Sequence, residues 1–225
     1  MERRGATTRR GRPPVSAQRR HRLRLDVSRE AVRLFREQGV PATSGEQIAG
    51  AAGISERTLW RYFRSKESCV EPLLTKTIDA FGAVLRTWPR QLELSEHLRA
   101  AYTPVLDSSD SDFEAVLAVV RMTHDEPVLR AVYLVLRERA DAALVDVLAE
   151  HMGMPADALE VRMKAAALSA VLCTSTDQLV ADAPDGISPR ILREHRDRLA
   201  DFLRLITSGP FAVNEGASPI RGSRS

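Results

Sequence analysis

Residues 43–66, TSGEQIAGAAGISERTLWRYFRSK, constrain this chain more than any other stretch. The spacing predicts two short helices about a tight turn. Thr43 is placed to cap the first, with Glu46 three residues later completing a capping box. Ile48, Ala49 and Ala52 supply its buried side, and Gly53 ends it, because glycine accepts the left-handed backbone found just past a helix. Ser55 caps the second helix. Its Leu59 and Phe63 lie four residues apart, so both face inward. Glu56, Arg57, Trp60 and Arg61 are left outside. Such a pair of helices is a helix-turn-helix, and the outward row marks the second as a recognition helix.

Lys66 follows directly. Ser65 is placed to cap a third helix, which sets a cation at the positive end of the helix dipole. Either Lys66 is simply solvated, or a phosphate docks between its ammonium and the free N–H groups.

The formal net charge is only +3, but it is unevenly spread: arginine crowds the first forty residues while most acids lie beyond them. That asymmetry points to a polyanionic partner for the N-terminal part. Residues 1–19 form an Arg-rich arm in which Pro13 and Pro14 oppose helix and high charge opposes collapse, so disorder is expected. The arm is either a solubilising tail or a minor-groove reader using Arg9, Arg10 and Arg12. Its Gly11-Arg12-Pro13 core resembles the AT-hook motif.

The rest of the chain reads as all-α. Leu23, Val27, Ala31, Leu34 and Phe35 recur at helical spacing over residues 20–38, with Gly39 as the stop. A helix is expected to run from Lys66 to Pro89, with Pro72 early in it either bending it or forcing a local adjustment. Further helices are expected near 94–106, 111–123, 127–151, 156–181 and 188–207, and no segment alternates as a strand does. The 156–181 helix is small or apolar on nearly every side around Ala165–Val171, so it must be covered from several directions. The last helix sets Ile191, Leu192, Leu199, Phe202, Leu203 and Ile206 on one side and arginines on the other. The domain boundaries expected are a helix-turn-helix unit over 20–68, a helical domain over 69–208 and a disordered tail over 209–225.

Enzymatic chemistry is not expected. There is no phosphate loop, dinucleotide fingerprint, zinc-spaced Cys/His set or nucleophile elbow, and no cofactor is implied. Cys69 and Cys173 are too few for a disulfide framework and read as reduced core residues. No run approaches the ~20 apolar residues of a membrane span, and the N-terminus lacks the apolar core of a signal peptide, so a cytoplasmic protein is expected.

The run SREAVRLFREQGVPATSGEQIAGAAGISERTLWRYFRSKES, within residues 26–68, resembles the DNA-binding domain of the TetR family of bacterial repressors. The matching elements are Leu-Phe-x-x-x-Gly, Ala-Thr-Ser, Ile-Ala-x-x-Ala-Gly-Ile-Ser, and Thr-Leu-x-x-Tyr-Phe-x-Ser-Lys-Glu. Two positions depart from the pattern. Gly45 stands where a branched apolar residue is usual, and Trp60 replaces a tyrosine. The resemblance implies a homodimer, paired through the last two helices, that binds double-stranded operator DNA. On matching positions it implies phosphate contacts from Thr43, Thr58, Trp60, Tyr62 and Lys66, with Ser44, Ser55 and Arg61 at the interface and Glu56 and Arg57 at base edges. It also implies an effector cavity between residues 85 and 180, with Trp88, Tyr102, Phe113, Met122, Tyr133 and Arg137 as wall candidates. The stretch RMTHDEPVLRAVYLVLRERADAALVDVLAEHMG resembles the acyl-CoA-responsive members, including the mycofactocin-system regulator group, and would bring Arg137 or Arg139 to a CoA phosphate. The contrasting expectation is an architectural DNA-binding protein without an effector.

Overall fold

The computed structural model describes residues 16–101, 111–183 and 186–208. Over those residues it is all-α: α1 (Ala17–Gln38), α2 (Gly45–Ala51), α3 (Glu56–Tyr62), a 3₁₀ turn (Glu67–Val70), α4 (Glu71–Arg86), α5 (Leu94–Ala101), α6 (Ser111–Met122), α7 (Pro127–Met152), α8 (Leu159–Asp182) and α9 (Pro189–Ser208). Of the Arg-rich arm, residues 1–15 with Arg9, Arg10 and Arg12 lie outside the described residues, as do Tyr102 and the tail; residues 17–19, expected to belong to the disordered arm, instead open α1.

Local capping accounts for most of the breaks. Ser16 caps α1 by accepting from the Arg19 N–H. The cap of α2 is Ser44, not Thr43: its Oγ accepts from the Gln47 N–H while the Gln47 side chain accepts from the Ser44 N–H. The capping box is therefore shifted one residue from the expected Thr43/Glu46 pair. Thr43 is buried, and its hydroxyl donates to the Gly39 carbonyl at 2.8 Å. Gly53 takes φ +65°, a conformation that costs a side-chain-bearing residue, and so turns the chain from α2 into α3. At Pro72 the chain makes a local adjustment rather than a bend. The chain first makes the 3₁₀ turn and begins α4 only at Glu71, so Pro72 falls in the first helical turn, where its missing N–H has no partner to lose.

Three apolar clusters hold the helices together. The first joins α1, α2 and α3 (Val32, Phe35, Ile48, Leu59) to α4 (Leu73), α6 (Val119) and α7 (Leu129, Leu136). The second joins the far halves of α4 and α7 (Leu85, Leu144, Leu148) to α5, α8 and α9 (Leu98, Leu168, Leu203). A third packs α6 against the end of α8 and the start of α9 through Phe113, Leu117, Leu179 and Leu192. α4 and α7 run through both main clusters. The boundary expected at 68/69 therefore does not divide two separate cores, since Val70, Leu73 and Leu74 pack with the helix-turn-helix.

A charged tie crosses the same boundary. Asp112 of α6, with its side chain 5% exposed, accepts from Arg29 of α1 at 2.7 and 2.8 Å and from Lys76 of α4 at 2.7 Å. The Arg29 hydrogen bonds, with those of Lys76, hold its carboxyl at about 2, below the ordinary 3.8. A depressed carboxylate contributes stability that is full above the unfolded value and lost as pH falls through the folded one. Asp112→Asn should thus lower the unfolding free energy at pH 7 by about 2 kcal/mol. Because Arg29 and Lys76 are partly exposed and can rehydrate, the cost stays below that of stranding a fully buried charge. Urea unfolding of the variant against the native chain measures it; no difference at pH 7 would mean that the tie is energetically idle.

Candidate DNA-recognition surface and effector cavity

α3 carries the outward row. Leu59 is fully buried and Phe63, which leaves the helix as its C-cap, is 4% exposed; between them they anchor α3 to the first core. Ser55 caps α3 by accepting from the Thr58 N–H at 3.2 Å, and the two hydroxyls bond each other at 2.9 Å. Ser44, Ser55, Glu56, Arg57, Trp60 and Arg61 are exposed, and Thr58 is half-buried. Tyr62 packs against the first core, with the Arg61 guanidinium 5.0 Å from its ring centre.

Two assignments change. Lys66 does not open a helix or stand free for an anion. Its ammonium donates to the carbonyls of Val40 (2.7 Å), Thr43 (2.8 Å) and Pro41 (3.3 Å), tying the α1–α2 loop to the segment after α3. An ammonium has three donors, and three carbonyls take them. Thr43 is likewise committed: besides donating to Gly39, its hydroxyl accepts from Gln38 at 3.2 Å. Burial and these bonds leave neither residue a free polar group to offer a phosphate. The Trp60 indole N–H also has a partner, the Glu56 carboxylate four residues earlier at 2.9 Å.

A partly open cavity of about 180 Å³ lies between α4, α7 and α8. Ile78, Phe81 and Leu85 of α4 form one wall, Leu144 and Val147 of α7 another, and Leu172 of α8 a third. Its polar groups are Tyr133, Arg137 and Asp141 from α7, with Ser169 and Cys173 from α8; the Ser169 hydroxyl donates to Asp141. Burial pushes the Tyr133 phenol up to about 12 and raises the Cys173 thiol, so both stay neutral at physiological pH. Of the six wall candidates, Tyr133 and Arg137 line this cavity. Phe113 is packed into the third cluster and Met122 against the first. Trp88 lines a separate cavity, where it stacks on His151 at 3.5 Å. Arg139 is exposed and is not among the lining residues. Sequence reading missed Asp141 and Ser169, which look like ordinary helix positions until α7 and α8 are brought together.

Cys69 is fully buried, with its thiol pushed up to about 12 by burial. Cys69 and Cys173 are both free. Among the described residues no group of His, Cys, Asp and Glu is arranged to hold a metal ion, and no helix is long and apolar enough to cross a membrane.

Comparison with known proteins agrees with this geometry. Residues 29–73 match the bacterial regulatory proteins of the tetR family, and residues 92–204 match the MftR C-terminal domain. The chain is 30% identical over 151 residues to the HTH-type transcriptional regulator TcmR of Streptomyces glaucescens, spanning 64% of this chain and 67% of that protein. It is 36% identical over 93 residues to the HTH-type transcriptional repressor KstR2 of Rhodococcus jostii, 41% of this chain and 44% of that one. Among solved structures, Salmonella enterica GusR superposes with a TM-score of 0.55 at 20% identity, covering 84% of this chain and 98% of that one. The Thermus thermophilus repressor FadR, solved with lauroyl-CoA, superposes with a TM-score of 0.51 at 23% identity, covering 87% and 98%. These structural likenesses speak for the fold, while the sequence matches carry the family. The chain belongs to the TetR family of helix-turn-helix transcriptional regulators, which bind DNA and are not enzymes.

Proposed function

We propose that this protein is a homodimeric regulator, a repressor, that reads a palindromic operator with α3 and answers to a small apolar effector held between α4, α7 and α8. The observation that carries the reading is the division of α3 into a buried anchor, Leu59 and Phe63, and an exposed row of Glu56, Arg57, Trp60 and Arg61. Each subunit lays α3 in the major groove of one half-site, with half-sites one or more helical turns apart. Arg57 and Glu56 meet base edges; Ser44, Ser55, Thr58, Arg61 and Tyr62 lie along the backbone side. Pairing uses α8 and α9, which leave Leu159, Met163, Phe202 and Leu205 exposed on the monomer. That much uncovered apolar surface on two adjacent helices favours a self-complementary four-helix interface.

The effector is apolar with a polar end, as an acyl-CoA or similar thioester would be. The repressor FadR, a fold neighbour, was solved with lauroyl-CoA, and the cavity here is mainly apolar with Arg137 on its wall. α4 transmits occupancy. Thr77 and Ile78 line the cavity, and Lys76 beside them bonds Asp112 in the tie to α1. A ligand shifts this equilibrium by no more than its differential affinity for the two states.

Fluorescence anisotropy on DNA from upstream of the protein's own gene, against scrambled DNA across a salt titration, tests the reading. A preference of a hundredfold or more is expected, saturating with one or two dimers per site. Arg57→Ala should weaken specific binding by ~1–3 kcal/mol and relax the choice of one base, because arginine pairs bidentately with guanine. Binding-site selection reads this directly; an unchanged preferred sequence would remove Arg57 from base reading. Equal binding to every DNA, collapsing together with salt, would favour an architectural protein instead.

A further inference from the structure

The two departures from the family pattern, Gly45 and Trp60, meet in space. A Cβ placed on Gly45 would lie 2.6 Å from Trp60 Cη2 and 3.2 Å from Cε2, and closer still to Cζ2. No side chain fits at residue 45 while the indole is where it is. The ring of Trp60 therefore lies over the first turn of α2, in the volume that a branched residue at 45 would fill. In that pose its Nε1–H donates to Glu56 Oε1 at 2.9 Å. Glu56 is an exposed glutamate on the outward row of α3, and without a partner it would sample many rotamers. The indole instead holds one carboxylate oxygen, and the carboxylate keeps further lone pairs with which to accept.

We infer that Gly45 and Trp60 are positioning residues that fix Glu56 as a hydrogen-bond acceptor for one base, a cytosine in each half-site. The inference rests on the operator-reading function proposed above. The chemistry selects the base. A carboxylate only accepts, and cytosine presents its N4 amine to the major groove as a donor. Guanine and thymine present carbonyl oxygens that repel it, and adenine sets its N7 acceptor beside its amine. Trp60 is thus assigned to orient Glu56 rather than to donate its indole N–H to a phosphate. Gly45 is there because the ring needs the room.

Binding-site selection from random DNA tests this with the full-length chain and its Trp60→Phe, Gly45→Ala and Glu56→Gln variants, each checked for a native melting transition. The native chain should favour cytosine at one position per half-site, by roughly tenfold or more. Trp60→Phe, which keeps a ring but removes the donor, should lose that preference while keeping the preference set by Arg57. Gly45→Ala, which displaces the ring, should lose the same position, and the double variant should lose no more than either single one. Glu56→Gln should shift the choice toward adenine, since glutamine pairs with its N6 and N7. A Trp60→Phe variant that selects the native sequence with undiminished cytosine preference would overturn the inference. A native chain that selects a sequence with no cytosine at any position Glu56 controls would also overturn it. A native chain that selects no sequence at all would overturn the operator reading itself, a distinct result.

Discussion

Replacing Lys66 with methionine should lower the melting temperature by about 5–10 °C, corresponding to about 2–3 kcal/mol for a chain of this size. The ammonium donates to the carbonyls of Val40, Pro41 and Thr43, which come from the loop between α1 and α2. Hydrogen bonds to a charged group are the stronger kind, and losing the donor strips a partner from the carbonyls of the buried Val40 and Thr43, of which Val40 keeps the Thr43 N–H at 3.3 Å. Pro41 is exposed and can turn to water, which keeps the cost from reaching three full bonds. The loop leads directly into the Ser44 cap of α2, so specific DNA binding should fall along with stability. Thermal unfolding separates this role from a phosphate contact. If Lys66→Met melts like the native chain while all DNA binding weakens and the salt slope flattens, the ammonium serves the DNA and the carbonyl ties are incidental.

Acidification should unfold this protein partly through His195. The imidazole is 6% exposed on α9, beside the groove lined by Ala170, Thr174 and Phe202. Burial first, and then the nearby Arg198, push its value down to about 4 from 6.5; Asp182 opposes them weakly. Between those two values the unfolded chain binds a proton that the folded chain refuses, so stability rises with pH there. At pH 7 the histidine is neutral in both states and the penalty is absent. It should reach about 2 kcal/mol by pH 5 and about 3 kcal/mol by pH 4. His195→Gln, which does not titrate, should lose less stability between pH 7 and pH 5 than the native chain, measured by urea unfolding at both values. Parallel losses in the two proteins would show that His195 is hydrated when folded. If α8 and α9 form the proposed dimer face, added burial would depress the histidine further, and acid would weaken association as well as folding.

Much of the architecture was legible from local signals. The Gly39 and Gly53 stops, the Ser55 cap and the Pro127 and Pro189 starts act within one helical turn, and the helices begin or end within a few residues of them. Two neighbouring hydroxyls, Thr43 and Ser44, both satisfied the pattern of a cap. Only the packing of Thr43 into the α1–α2 loop, where it bonds Gly39, left Ser44 to do the capping. Pro72 announced an adjustment early in the helix, but not its form, because the 3₁₀ turn before it carries no distinctive residue.

The sequence by itself determined the helices, their breaks and the outward row of α3, since these depend on residues one to four apart and on backbone chemistry that no distant contact alters. Tertiary structure decided which polar groups remained available. Lys66 meets its carbonyls from 23 to 26 residues away, Arg29 meets Asp112 across 83, and Gly45 and Trp60 are intelligible only once α2 and α3 touch. The cavity, too, exists only where α4, α7 and α8 converge. A side chain's chemistry is written in its residue type. Whether that chemistry is spent inside the fold or offered outside is set by the partners that folding brings within about 3 Å.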